Sequence, residues 1–226
     1  MRMIVAFEKT EQVRHAGHLD LLRFMQRALR RSGLPIKYSQ GFNPHVILSF
    51  ASPLSVGMSG AQELMDVGLE QPVAKDVFAD QLRAALPDSL PLIAVRAVED
   101  KHPALMAQLC TAEYRATMAQ NDDTMKILAA IEPLLAREEI IALRKTKSGE
   151  KPCDIRPMIH LLEGSADDGT ITLHFRTSLM ERETLKPDLL MRTLAEQASV
   201  EQPTVRFRRL CLYGERDRLP VPLLEL

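Results

Sequence analysis

Tryptophan is absent, and seven Phe with three Tyr make aromatic residues only 4% of the 226-residue chain. So few rings argue against a base-stacking platform of the kind that lines single-strand binding grooves. Cys110, Cys153 and Cys211 are odd in number and widely scattered, which leaves no legible disulfide framework or paired-cysteine zinc site and reads as buried thiols. Neither sign of charge dominates: 29 Lys and Arg stand against 30 Asp and Glu, excluding a globally basic nucleic-acid coat but not local patches. No apolar run approaches the roughly 18 residues of a membrane helix, and Arg2, Glu8 and Lys9 in the opening MRMIVAFEKT argue against a signal peptide, so a cytoplasmic location is expected. A phosphate loop, GxGxxG after a strand, GxSxG, HExxH and a CxxxCxxC cluster are all missing, removing the usual residues for nucleotide hydrolysis, dinucleotide redox chemistry, metalloproteolysis and an iron-sulfur centre.

What is present is an ordinary globular composition, 46% hydrophobic and 26% charged, on a chain long enough for two domains. Alternation predicts a strand at Ile4 to Phe7, and Leu21, Leu22, Met25, Ala28 and Leu29 predict an amphipathic helix from His18 to Ser32, stopped by Gly33 and Pro35. Ile36 to Tyr38, a turn over residues 39–44, Val46 to Phe50, a strand through Met65, Val67 and Leu69, a helix to Leu86 and a strand at Leu92 to Val98 follow. The order is strand, helix, strand, strand, helix, strand, that of a ferredoxin-like domain with an antiparallel sheet.

The second half repeats this order without residue-level similarity. A strand around Tyr114, Ala116 and Met118 precedes a helix capped by Asp122 and interrupted at Pro133. Strands at Ile140 to Leu143 and Ile171 to Phe175, a helix from Pro187 to Ala198 and a closing strand from Val205 to Tyr213 complete it. The expectation is therefore an α+β protein of two tandem ferredoxin-like domains, residues 1–105 and 106–226.

Between Val13 and His45, Arg14, Arg23, Arg27, Arg30, Arg31 and Lys37 face one acid, Asp20, a balance of +5 inside a chain of −1. Arginine suits phosphate because its planar fork donates paired hydrogen bonds, so this helix face and the adjoining loop residues Tyr38, Ser39, Gln40, Asn43 and His45 are candidate RNA contacts. The plainer account is that an exposed helix face must be charged anyway. A second cluster, Arg144, Lys145, Lys147, Lys151 and Arg156 against Glu150 and Asp154, falls in an expected mobile loop, where solvation explains it as well; Lys147, Lys151 and Arg156 join the RNA candidates. Phe42 and Pro44 are candidate apolar anchors for a protein partner, unless Phe42 tucks into its own core. His15, His18 and His45 form a third group, with Asp20 as the nearest further ligand, for a metal or an RNA-cleaving acid and base; the spacing identifies neither, and no cofactor or metal is expected.

The segments His18-Leu19-Asp20-Leu21, Arg27 to Pro35, Tyr38-Ser39-Gln40-Gly41-Phe42-Asn43-Pro44-His45, Leu48-Ser49-Phe50, Pro53-Leu54 and Val56-Gly57 together resemble the radical SAM-linked protein family, a bacterial domain of unknown function. The resemblance extends through Asp66-Val67, Glu113-Tyr114, Lys151-Pro152, Asp154 to Pro157 and Arg209-Leu210, with His45-Val46 departing from a Pro-His-Pro run. It implies a domain fused to, or encoded beside, a radical SAM protein, often one with a cobalamin-binding region, and it implies no established activity. Three readings follow. The first is a non-enzymatic accessory protein presenting tRNA or rRNA to a radical SAM enzyme. The second is a protein-protein adaptor for that enzyme without RNA contact, and the third a histidine-based RNA-processing or metal-binding protein.

Overall fold

The computed structural model describes residues 1–146, 149–181 and 183–226 and has a mixed α/β fold built on mostly antiparallel sheet. Two compact units share the chain, Met1–Leu109 with Arg209–Leu226, and Cys110–Arg208. A division at 105/106 assigns the final segment to the second half; the structure groups it with the first, where Arg209 finds a buried carboxylate partner, Glu63.

The first unit opens with β1, Arg2–Lys9, whose Met3 to Phe7 are all fully buried, followed by α1, His18–Arg31. Leu21, Met25, Ala28 and Leu29 turn inward at helical spacing, and burying each of the larger three stabilises the unit by about 1.5–3 kcal/mol. Ser32 terminates the helix, its hydroxyl donating to the Leu29 carbonyl at 2.7 Å, and Gly33 then takes φ +72°, a conformation that glycine adopts without a Cβ clash. The short β2, Leu48–Phe50, then β3, Ser59–Gly68, α2, Lys75–Ala85, and β4, Leu92–Val98, give the antiparallel order β4-β1-β3-β2. Ile36 to Tyr38 forms no continuous strand; it makes isolated bridges, Ile36 to Leu69 and Tyr38 to Val46. A single-turn helix, α3, Leu105–Gln108, ends this stretch.

In the second unit β5, Thr111–Ala119, leads to α4, Asp122–Ala129. The cap is Asn121 and not Asp122: Asn121 is extended, its side chain accepts from the Thr124 amide at 2.9 Å, and the Thr124 hydroxyl accepts the Asn121 amide in return. Pro133 occupies the third position of a new helix, α5, Ile131–Leu135, where its missing N–H costs nothing. The expected basic loop is a hairpin of β6, Ile141–Thr146, and β7, Gly149–Asp154, forming a separate two-stranded sheet. Then come β8, Ile159–Asp167, β9, Thr170–Ser178, and α6, Pro187–Gln197, with β5-β9-β8 antiparallel and Tyr114 stacked on Phe175 at 5.4 Å. The closing β10, Arg206–Arg216, and β11, Leu219–Pro222, pair antiparallel, and β10 passes from the second unit to the first at Arg209.

Candidate nucleic-acid interface

Because the inner face of α1 is taken by core residues, Arg23, Arg27 and Arg30 point to solvent, spaced to form one stripe about 10 Å long. Arg23 is 4.0 Å from Asp20, an open pair of little energetic weight, whereas Arg27 and Arg30 form no ion pair with any described residue. Two other cations of this region, Arg14 and Arg31, have protein partners. Arg14 donates to Glu11 at 3.3 Å and to the His15 ring at 3.0 Å, and Arg31 donates to the Ala85 carbonyl at the end of α2, 3.1 Å away. Lys37 is exposed, its backbone tied to Gly68 and Ile47.

The loop beyond Tyr38 is closed at its neck. The Ser39 amide donates to the His45 carbonyl at 2.9 Å, the His45 amide donates to the Ser39 hydroxyl at 3.1 Å, and that hydroxyl lies 2.8 Å from His45 Nδ1. Ile36 and Val46 anchor the base in the same core that receives Leu21, Met25 and Leu29. At the tip Gln40, Phe42, Asn43 and Pro44 are exposed, and Phe42 is completely so, at 113% of its reference area. Phe42 does not tuck inward, which corrects that expectation: the neck bonds hold the tip away from the core.

A buried polar network that sequence patterning missed supports the start of α1. Lys9, at the end of β1, is 1% exposed and donates to the carbonyls of Arg14 at 2.9 Å and Ala16 at 3.0 Å, fixing the turn that enters the helix. Burial pushes its ammonium below the usual lysine range, a shift that Glu63 opposes and Arg209 reinforces. Arg209 grips Glu63 with two nitrogens, Nε to Oε1 at 2.9 Å and Nη2 to Oε2, and donates to the Ser52 carbonyl at 3.0 Å. Gly60 makes room for this pair, since a Cβ there would lie 2.3 Å from a Glu63 oxygen. Its signal in the sequence is slight: Lys9 and Glu63 break the apolar faces of their strands, as buried charges do only when partnered.

The three histidines are held apart by different partners. His15 accepts from Arg14, His18 packs edge-on against Phe50 at 5.4 Å, and His45 bonds Ser39. Among the described residues no group of three His, Cys, Asp or Glu is placed to hold a metal. In the second unit Lys151 is exposed on β7, Arg156 is committed to the Leu135 carbonyl at 3.2 Å, and Lys147 lies outside the described residues. His174, between Glu163 at 3.0 Å and Glu113 at 2.5 Å, spans three strands and was not singled out by its sequence context.

The scaffold is a mixed α/β fold that carries an exposed arginine stripe on α1. Residues 2–187 match the family described as "uncharacterized protein conserved in bacteria" (DUF2344), and the chain belongs to that family. No curated protein matches. Among solved structures, the chain is similar in fold to one in a crystal structure of a Cbf5-Nop10-Gar1 complex, with a TM-score of 0.54 and 12% identity over 93% of this chain and 48% of that one. The chain thus spans about half the length of that relative. A crystal structure of an unknown protein from Galdieria sulphuraria aligns over 92% of this chain and 97% of its own at 11% identity, with a TM-score of 0.26 that carries no argument.

Proposed function

We propose that this protein is a cytoplasmic RNA-binding accessory factor that presents tRNA or rRNA to a radical SAM enzyme, the partner that the sequence resemblance implies. The observation that carries the RNA reading is the α1 stripe, where Arg27 and Arg30 are exposed and form no ion pair with a described residue. A cationic face on which Asp20 is the one acid of α1 is suited to a phosphate backbone, and exposed Phe42 offers one ring for an unpaired base. The order β4-β1-β3-β2 and the helix positions support a ferredoxin-like reading of the first unit, and the similar element order supports the same reading of the second. The presence of a similarly folded chain in a multi-protein complex supports a role in an assembly.

The test is affinity for total cellular RNA across a salt series, with wild type and Arg27→Glu plus Arg30→Glu. Losing two phosphate contacts lowers the slope of log affinity against log salt by about 1.4 to 1.8. Unchanged affinity and slope remove this face from the reading.

Full exposure of Phe42 favours a second reading, an adaptor whose loop docks onto the radical SAM protein without RNA. Phe42→Ala, which removes no core contact, is expected to keep its melting temperature and lose co-purification with that protein. A folded variant that still co-purifies eliminates the anchor.

A further inference from the structure

We propose that a cavity in the second unit binds a terminal phosphate, the dianion of a phosphate monoester. The cavity, of 340 Å³, opens between β6 and the start of α6. Arg144 and Lys145 from β6, Lys186 just before α6 and Arg192 in its second turn line it, against the single carboxylate of Asp188. Arg144, Lys145 and Lys186 form no ion pair with a described residue. Arg192 is held from behind: its Nη2 donates to the Leu143 carbonyl, and its Nε lies 3.9 Å from Glu196.

Two features ask for an anion here. Counting Glu196, four cations meet two carboxylates, a balance of +2. A phosphate monoester carries about −1.5 to −2 at neutral pH and neutralises that balance, whereas a diester or a carboxylate does so only in part. Across the hairpin, Arg144 stands directly opposite Lys151, a like-charged pair that destabilises an unliganded ribbon and that an anion beside Arg144 relieves. Arginine forks supply paired donors to phosphate oxygens and lysines supply compact charge. The volume also lies within the range of small-molecule sites, about 300–1,000 Å³, so a substituent enters with the phosphate, beside Leu143 and Leu189. These residues belong to elements other than α1 and its loop, so the assignment stands independently of the RNA reading above.

A monoester reaches such a pocket either as a free nucleotide or as the 5′ end of an RNA. Isothermal titration of the full chain at low salt compares AMP with adenosine, and a 5′-phosphorylated oligoribonucleotide with its 5′-hydroxyl twin. Binding of AMP with adenosine at least about tenfold weaker supports the site with a free nucleotide as its source. No AMP binding, with a tenfold advantage for the 5′-phosphorylated strand, supports it with a nucleic-acid end as its source. Arg144→Gln plus Lys186→Gln, both at the cavity rim, is expected to reduce the preference at least tenfold at unchanged melting temperature; should the pair unfold, Lys145→Glu is the substitute. Equal affinity with and without the phosphate, or a preference unchanged in a folded variant, overturns the assignment. The strand comparison repeated in the Arg27→Glu plus Arg30→Glu background separates the readings, because a 5′-phosphate preference there survives the loss of any backbone binding by α1.

Discussion

Arg27 and Arg209 are the same side chain in opposite surroundings. Arg27 stands on the outer face of α1 with no described counter-charge, whereas Arg209 is 1% exposed and shared among Glu63 and the Ser52 and Pro53 carbonyls. The first costs the fold almost nothing and leaves its donors to solvent or a ligand. The second has been stripped of water and must keep every donor occupied by protein. Function is therefore expected where the guanidinium is poorly supplied with partners, and stability where it is fully supplied. Lys9 links the two situations, because this buried cation caps the carbonyls from which the exposed helix begins.

The comparison breaks most visibly at the buried end. Arg209→Ala leaves Glu63 charged without its partner, and urea unfolding should report a loss of about 3–5 kcal/mol. Glu63→Leu combined with Arg209→Met should restore most of it, since replacing both partners avoids an orphaned charge; a single variant as stable as wild type would show the pair to be idle. At the exposed end, Arg27→Glu and Arg30→Glu should each leave unfolding stability within about 0.5 kcal/mol of wild type. A loss comparable to that of Arg209→Ala would assign α1 a structural role instead.

His174 provides a smaller, intermediate case. Burial opposes its protonation, but hydrogen bonds to Glu163 and Glu113 outweigh it and raise its pKa above the ordinary histidine value of 6.5. Its stabilisation is thus fully present below about pH 6.5 and is lost as pH rises through the folded-state value. His160 runs the other way: burial, with Arg176 adding to it, lowers its pKa, so protonation on the acid side costs stability. Unfolding measured from pH 5 to 9 should show the alkaline-side loss shrink in His174→Gln and the acid-side loss shrink in His160→Gln. Unaltered profiles in both variants would make these rings spectators.

Much of the element order was legible because its signals are local. Leu21, Met25 and Leu29 define a helix stripe within one segment, and Ile171, Leu173 and Phe175 alternate cleanly on one strand. β8 was hidden because a register shift between Ile159 and Leu161 breaks its alternation, and β7 because Gly149, Glu150, Lys151 and Pro152 carry no apolar face to read. Asn121 displaced Asp122 as a cap because both residue types suit the position and only the backbone angle and the reciprocal bond to Thr124 choose between them.

By itself the sequence determined which residues are apolar at which period, where the charge of one sign gathers, and that the common catalytic motifs are missing. Those properties depend only on neighbours along the chain. The tertiary structure alone decided that Phe42 stays outside, that His15, His18 and His45 serve separate partners, and that Glu63 meets Arg209 across 146 residues. It also brought Arg144 and Lys145 beside Lys186 and Arg192. Such pairings are set by strand register and by the direction in which each backbone aims its side chains, and neither is encoded at any one position.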